Sequence, residues 1–106
     1  MKELTEITEK EWLSAAGGDT KREALLFVTP LCGTCKITER ILQVVEAAGK
    51  SIPIRKININ YAVQLRTKWQ IASVPCLVVL EDGEPVQQTY AMHGVDYLFE
   101  LLRSER

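Results

Sequence analysis

The sequence predicts an α/β domain, a mixed sheet with helices on both faces, and three observations predict it. Short apolar runs rich in strand formers, ALLFVT at 24–29 and CLVVL at 76–80, alternate with stretches of helical period. The second run leads into Asp82-Gly83, a strong hairpin signal, and alternation followed by a hairpin describes a mixed sheet. The chain of 106 residues, 46% hydrophobic and 25% charged, is long enough for one core and too short for two, so residues 1–106 are read as one domain.

Thr8 followed by Glu11 fits a capping box and opens a helix through Trp12, Leu13 and Ala16, which Gly17-Gly18 stops. ALLFVT is unbroken by polar residues, as expected of a strand buried on both faces, and Pro30, lacking an amide hydrogen, ends it. From Cys35 onward Ile37, Ile41, Val44, Val45 and Ala48 recur at helical spacing, until Gly49 offers a left-handed terminus. SIPIRKININ alternates through Ile52 and Ile54 and then shifts phase to Ile57 and Ile59, which fits a bulged strand or one buried on both faces. Asn60 is placed to cap a helix running to Trp69, with Ala62, Leu65 and Trp69 on one side. CLVVL is a buried strand, and the hairpin leads into a partner over 85–90 in which Pro85 suits an edge or a strand start. A closing helix begins near Val95, apolar at Val95, Leu98, Leu101 and Leu102, with Arg103 and Arg106 in its last turn to complement the dipole.

Charge and hydropathy exclude several function classes. Thirteen basic and fourteen acidic residues, scattered along the chain, leave a net charge of −1 and no footprint for nucleic acid or anionic lipid. No apolar run approaches the roughly 20 residues of a membrane helix. The opening MKELTEITEKEW carries acids where a signal peptide has an apolar stretch, so a soluble, cytoplasmic protein is expected. Three cysteines are an odd number for a disulfide scaffold, and a structural bridge rarely survives in a reducing cytosol.

Two of those cysteines stand in TPLCGTCK, at the predicted strand-to-helix turn. Unpaired N–H groups and the positive end of the macrodipole converge at a helix start, and a thiolate suits that field. Such placement lowers a cysteine pKa from about 8.5 to roughly 3.5–7.5. Cys32 occupies the position, and Cys35, three residues on, lies on the same side and within reach of a mixed disulfide formed there. C-x-x-C at such a turn in a cytosolic protein is a redox motif. Zinc or an iron–sulfur cluster is the main competitor, but four ligands are needed and Cys76 and His93 are isolated from the pair and from each other. An inert buried pair is the remaining alternative.

The chain resembles the thioredoxin family from about residue 8 to the last helix. ALLFVTPLCGTCK resembles the family's strand and W-C-G-P-C-K turn, RKININ its K-x-N-I-D strand end, and SVPCLVVLEDGEPV its I-P-T strand and hairpin. The resemblance implies a thioredoxin fold, with four to five strands flanked by about four helices. It also implies a cytoplasmic protein-disulfide reductase, monomeric and without a bound cofactor or metal, re-reduced by an NADPH-dependent flavoprotein reductase. By position, Cys32 becomes the nucleophile, Cys35 the resolving thiol, and Pro75 a cis-proline facing them, although X-Pro bonds in general are mostly trans. Leu31, Gly33, Thr34, Val74 and Pro75 become the substrate-binding surface, Val74 pairing its backbone with an extended substrate segment.

Four positions depart from the family pattern. The buried acid six residues before the nucleophile, which helps deprotonate the resolving cysteine, falls on Leu26. The tryptophan before the motif is Leu31. The motif's proline is Thr34, whose hydroxyl can donate to the Cys32 sulfur. The helix-kinking proline is Arg40, so a straighter helix is expected. Lys56 matches the family's lysine beneath the site: without a bulge it points inward, where its charge would favour the Cys35 thiolate, and with one it turns to solvent. Cys76 is either a core filler or a third thiol near the pair. His93 is either a surface residue or a cation that stabilises the Cys32 thiolate. Two further functions stay open: a redox-slow binding module using the Pro75 surface, and a metal or iron–sulfur carrier using Cys32, Cys35 and Cys76.

Overall fold

The computed structural model describes residues 3–15, 21–90 and 92–104. In chain order the elements are β1 (Thr5–Glu6), α1 (Glu9–Ala15), β2 (Arg22–Val28), α2 (Gly33–Ala47) and β3 (Ile54–Asn58). A 3₁₀ turn (Ile59–Tyr61), α3 (Val63–Lys68), β4 (Cys76–Glu81), β5 (Glu84–Thr89) and α4 (Val95–Leu101) complete it. Five strands form one sheet in the order β1-β3-β2-β4-β5. β1, β3 and β2 run parallel, whereas β4 is antiparallel to both β2 and β5.

Both faces of the sheet are covered, which is why its central strands read as unbroken apolar runs. Ala24, Leu26 and Val28 of β2 pack with Leu77 and Val79 of β4 beneath Leu42 and Val45 of α2 and Leu98 of α4. The alternate residues, Leu25, Phe27, Cys76, Val78 and Leu80, pack against Trp12 of α1 and Leu65 of α3 on the other face. There the Trp69 ring meets Trp12 edge-on at 5.4 Å and Phe27 at 6.1 Å.

The local signals act as expected at several places. Thr8 N–H donates to Glu11 Oε1 at 2.9 Å and Glu11 N–H to Thr8 Oγ1 at 3.1 Å, closing the capping box. Gly49 takes φ +79° just past the end of α2, which runs as one helix through Arg40. Asp82 and Gly83 both have positive φ, 53° and 82°, as a two-residue hairpin turn of the type I′ kind requires. β5 is an edge strand, where Pro85 costs no internal ladder bond.

Other expectations are corrected. β1 was not anticipated: two exposed residues carry no periodicity, and only their pairing with Arg55 and Lys56 makes them a strand. The cap near residue 60 belongs to Asn58, whose Oδ1 accepts from Asn60 N–H at 2.9 Å and starts the 3₁₀ turn, so α3 begins only at Val63. The phase shift in β3 is not a bulge, because its register with β2 is continuous from Ala24↔Ile54 to Val28↔Asn58. Ile54 and Ile57 enter opposite cores, so the strand is buried on both faces. The irregularity in the sheet lies instead in β5 opposite Val79 and Leu80. Arg103 stands beyond α4, where its side chain reaches back to Glu100 at 3.3 Å, so no basic residue occupies that helix's last turn. Ala16, the Gly17-Gly18 stop and Arg106 lie outside the described residues.

Leu42 is fully buried between α2 and the sheet. Leu42→Ala is expected to lower the unfolding free energy by about 2–5 kcal/mol, read as a fall in the urea midpoint with the transition slope retained.

Candidate active site

β2 delivers the chain through Thr29, Pro30 and Leu31 to the first turn of α2, and Cys32 is the N-cap of that helix. Its backbone is extended, φ −91° and ψ 111°, and its Sγ accepts the Cys35 N–H at 3.1 Å. A sulfur thus takes the place that a serine or aspartate oxygen holds in an ordinary N-cap. The Thr34 hydroxyl lies 3.3 Å from the same sulfur. A thiolate can only accept, so once Cys32 ionises Thr34 is the donor.

The two thiols of the motif are driven in opposite directions. Hydrogen bonding from Cys35, then from Thr34, lowers the Cys32 pKa from its ordinary value. Burial, followed by the hydrogen bond it gives to Cys32, pushes Cys35 up to about 11. Cys32 is half-buried and Cys35 wholly buried, and both are free thiols. The accessible sulfur is therefore the more readily ionised of the two.

The Val74–Pro75 peptide bond is cis. Pro75 and Thr34 line one groove of about 330 Å³ with Ile37, Ile41, Tyr90 and Met92, which places the proline across from the cysteine motif. Leu31 is 97% exposed, leaving a bare aliphatic side chain beside Cys32. A Cβ at Gly33 would meet nothing within 4 Å, so this glycine leaves open surface rather than relieving a clash. Val74 is half-buried and touches the cores of both faces.

The remaining candidates separate. Lys56 does not face solvent: its Nζ is 2.9 Å from Glu39 Oε1, and the two side chains are 17% and 15% exposed. Glu39 raises the Lys56 pKa, and Glu39 is also among the groups that raise Cys35. Glu39 carried no motif and was not anticipated; its one legible signal was its spacing four residues after Cys35. Cys76 is buried in the core on the α1/α3 side of the sheet, opposite Cys35, and burial pushes its thiol up to about 11. His93 is exposed and stacks edge-on against Tyr97 at 4.9 Å, the surface placement of the two readings. Among the described residues no cluster of three or more His, Cys, Asp or Glu side chains is placed to hold a metal, so Cys32, Cys35 and Cys76 do not make a carrier site. Among those residues, no helix is long and apolar enough to cross a membrane.

A vicinal dithiol at a helix start, facing a cis-proline on a mixed sheet, defines a thiol–disulfide exchange protein. The thioredoxin family profile matches residues 3–104, and the chain belongs to the thioredoxin family. It is 36% identical over 81 residues to the thioredoxin-like protein YusE of Bacillus subtilis (strain 168), a stretch covering 76% of each chain. It is 31% identical over 77 residues to the thioredoxin of the same organism, covering 72% of this chain and 74% of that one. In fold it is similar to a mutant thioredoxin from Halobacterium salinarum NRC-1, with a TM-score of 0.76 at 24% identity over 93% of this chain and 86% of that chain. The thioredoxin fold expected from the sequence is the fold observed.

Removing the Thr34 hydroxyl deletes one of the bonds that favour the Cys32 thiolate. Thr34→Val is expected to raise the Cys32 pKa and slow its alkylation by iodoacetamide several-fold at pH 7. The difference should vanish at pH values where Cys32 is fully ionised in both proteins.

Proposed function

We propose that this chain is a thiol–disulfide oxidoreductase that reduces protein disulfides through Cys32 and Cys35. The observation that carries the reading is the geometry of the two thiols: the half-buried Cys32 Sγ accepts the Cys35 N–H at 3.1 Å and lies 3.3 Å from the Thr34 hydroxyl, while Cys35 is buried one turn on, an asymmetry that lowers the first thiol and raises the second. The Cys32 thiolate attacks a substrate disulfide, a mixed disulfide forms, and the first substrate sulfur leaves as a thiolate. At that moment Cys32 ceases to be an anion. Its charge and its hydrogen bond, both of which hold the Cys35 proton in place, disappear together. Cys35 thereby becomes easier to ionise only after capture has occurred. Its thiolate attacks Cys32, closes the Cys32–Cys35 bond and releases the second substrate sulfur, so the substrate gains two electrons and the dithiol loses two.

Leu31, Gly33 and Thr34 on one side and Val74 and Pro75 on the other form the docking surface in this reading. The open space at Gly33 and the bare Leu31 side chain support it. An extended substrate segment pairs there with the Val74 backbone in the manner of an added strand. The oxidised domain is returned to the dithiol by a flavoprotein reductase drawing on NADPH, and the domain works as a cytoplasmic monomer. A second reading, a binding module with slow cysteines, draws support from the apolar Leu26 where the family carries an acid.

The two readings part in a disulfide-reduction assay. Cys32→Ser is expected to bring turnover down to the uncatalysed rate, and Cys35→Ser to accumulate a covalent substrate adduct on Cys32 visible by mass spectrometry. Turnover undiminished in Cys32→Ser would sink the oxidoreductase reading.

A further inference from the structure

Cys35 is fully buried and must lose a proton before it can displace the product. On the oxidoreductase reading, on which this inference rests, some group has to receive that proton. β2 offers none beneath the motif, where Leu26 is enclosed by aliphatic side chains, and the strand's one acid, Glu23, is paired with Arg55.

A carboxylate arrives from a different element. Glu39 follows Cys35 by four residues on α2, one turn along the same helix face. Helical Cα–Cβ bonds tilt toward the N-terminus, so its side chain leans back toward Cys35. Lys56 Nζ holds one carboxylate oxygen at 2.9 Å, and both side chains are largely withdrawn from solvent. Lys56 is the register partner of Leu26, so the ion pair stands over the strand position that lacks an acid. A cleft of about 220 Å³ opens beside it, lined by Thr29, Pro30, Glu39, Lys56 and Asn58. It is polar, and its volume has room for several waters at about 30 Å³ each. The other charged groups facing it are Lys36 from α2 and Glu3 and Glu6 from the β1 segment.

We propose that Glu39, oriented by Lys56, accepts the Cys35 proton through water in this cleft as Cys35 displaces the product. The Cys35 S–H bond breaks, and its proton passes by way of water to the Glu39 carboxylate. The sulfur attacks Cys32, the Cys32–Cys35 bond forms, and the bond from Cys32 to the substrate breaks. Glu39 then returns the proton through water to the departing substrate thiolate or, where that thiolate is a weak base, to solvent, and is left as it began. Glu39 is a positioning residue for the proton, acting on Cys35 without touching the substrate.

The sign of the effect separates this role from a static one. As a fixed negative charge Glu39 opposes ionisation of Cys35, so neutralising it would speed release. As a proton acceptor it assists release, so neutralising it slows release. A chromophoric aromatic disulfide reports both steps, the first thiol appearing on capture by Cys32 and the second on displacement by Cys35. In stopped flow at pH 7, Glu39→Gln is expected to leave the first phase near its original rate and to slow the second at least about tenfold, within the usual span of general acid–base effects. The deficit should shrink as pH rises and hydroxide takes over, and Glu39→Asp should fall between the two. Should Glu39→Gln lose the first phase through misfolding, the double variant Glu39→Gln/Lys56→Met, which removes the carboxylate together with its ion-pair partner, is expected to show the slowed second phase. A second phase as fast as or faster than that of the unaltered protein, or one slowed equally at every pH, overturns the proposal. Absence of both phases in the unaltered protein would count instead against the oxidoreductase reading.

Discussion

The first turn of α2 presents backbone N–H groups that no residue within the helix can satisfy, and a sulfur is what answers one of them. That single hydrogen bond, from Cys35 N–H to Cys32 Sγ, fixes much of the site. It sets Cys32 outside the helix with an extended backbone, and it leaves Cys35 inside, one turn deeper and sealed against the sheet. The asymmetry in solvation, and with it the asymmetry in acidity, follows from where the helix begins. Pro30 and the buried β2 strand matter because they bring the chain to that start without slack.

Alternation along the strands then decides which other groups can take part. In β4 consecutive residues face opposite cores, so Cys76, directly after the cis-proline, turns toward α1 and α3 while Leu77 turns toward α2. One residue of phase removes the third thiol from the neighbourhood of the other two. The same rule puts Lys56 on the α2 side together with Ile54, because β3 pairs with β2 without a bulge.

Periodicity and turn chemistry made most of the fold legible in the sequence. The unbroken apolar runs gave β2 and β4, and Asp82-Gly83 gave the hairpin, because those signals are local and strong. β1 escaped, since two exposed residues become a strand only through a distant partner. Asn58 and Asn60 are equally good capping residues in isolation, and the choice between them was made by where β3 stops pairing. Within the site, the contact of Thr34 with Cys32 was readable because it spans two residues, whereas the cis bond at Pro75 entered only through resemblance to a family. Glu39 could not be picked out among the many exposed helix acids, because what withdraws it from solvent is a lysine contributed by β3.

The substitution of leucine for an acid on β2 has a structural consequence beyond the lost charge. An acid at position 26 would sit inside the apolar cluster between Ala24 and Val28, and a carboxylate there carries a desolvation penalty that its lysine partner must offset. With Leu26 the cluster is continuous, and the ion pair is moved to its margin, where Glu39 and Lys56 keep some exposure to the cleft beside them. A charge pair at that margin is cheaper to maintain than one in the middle of the core, and a proton handed to it has a short path to solvent. The leucine and the glutamate are thus two halves of one arrangement, in which the cluster beneath α2 stays apolar and the carboxylate is supplied by the helix.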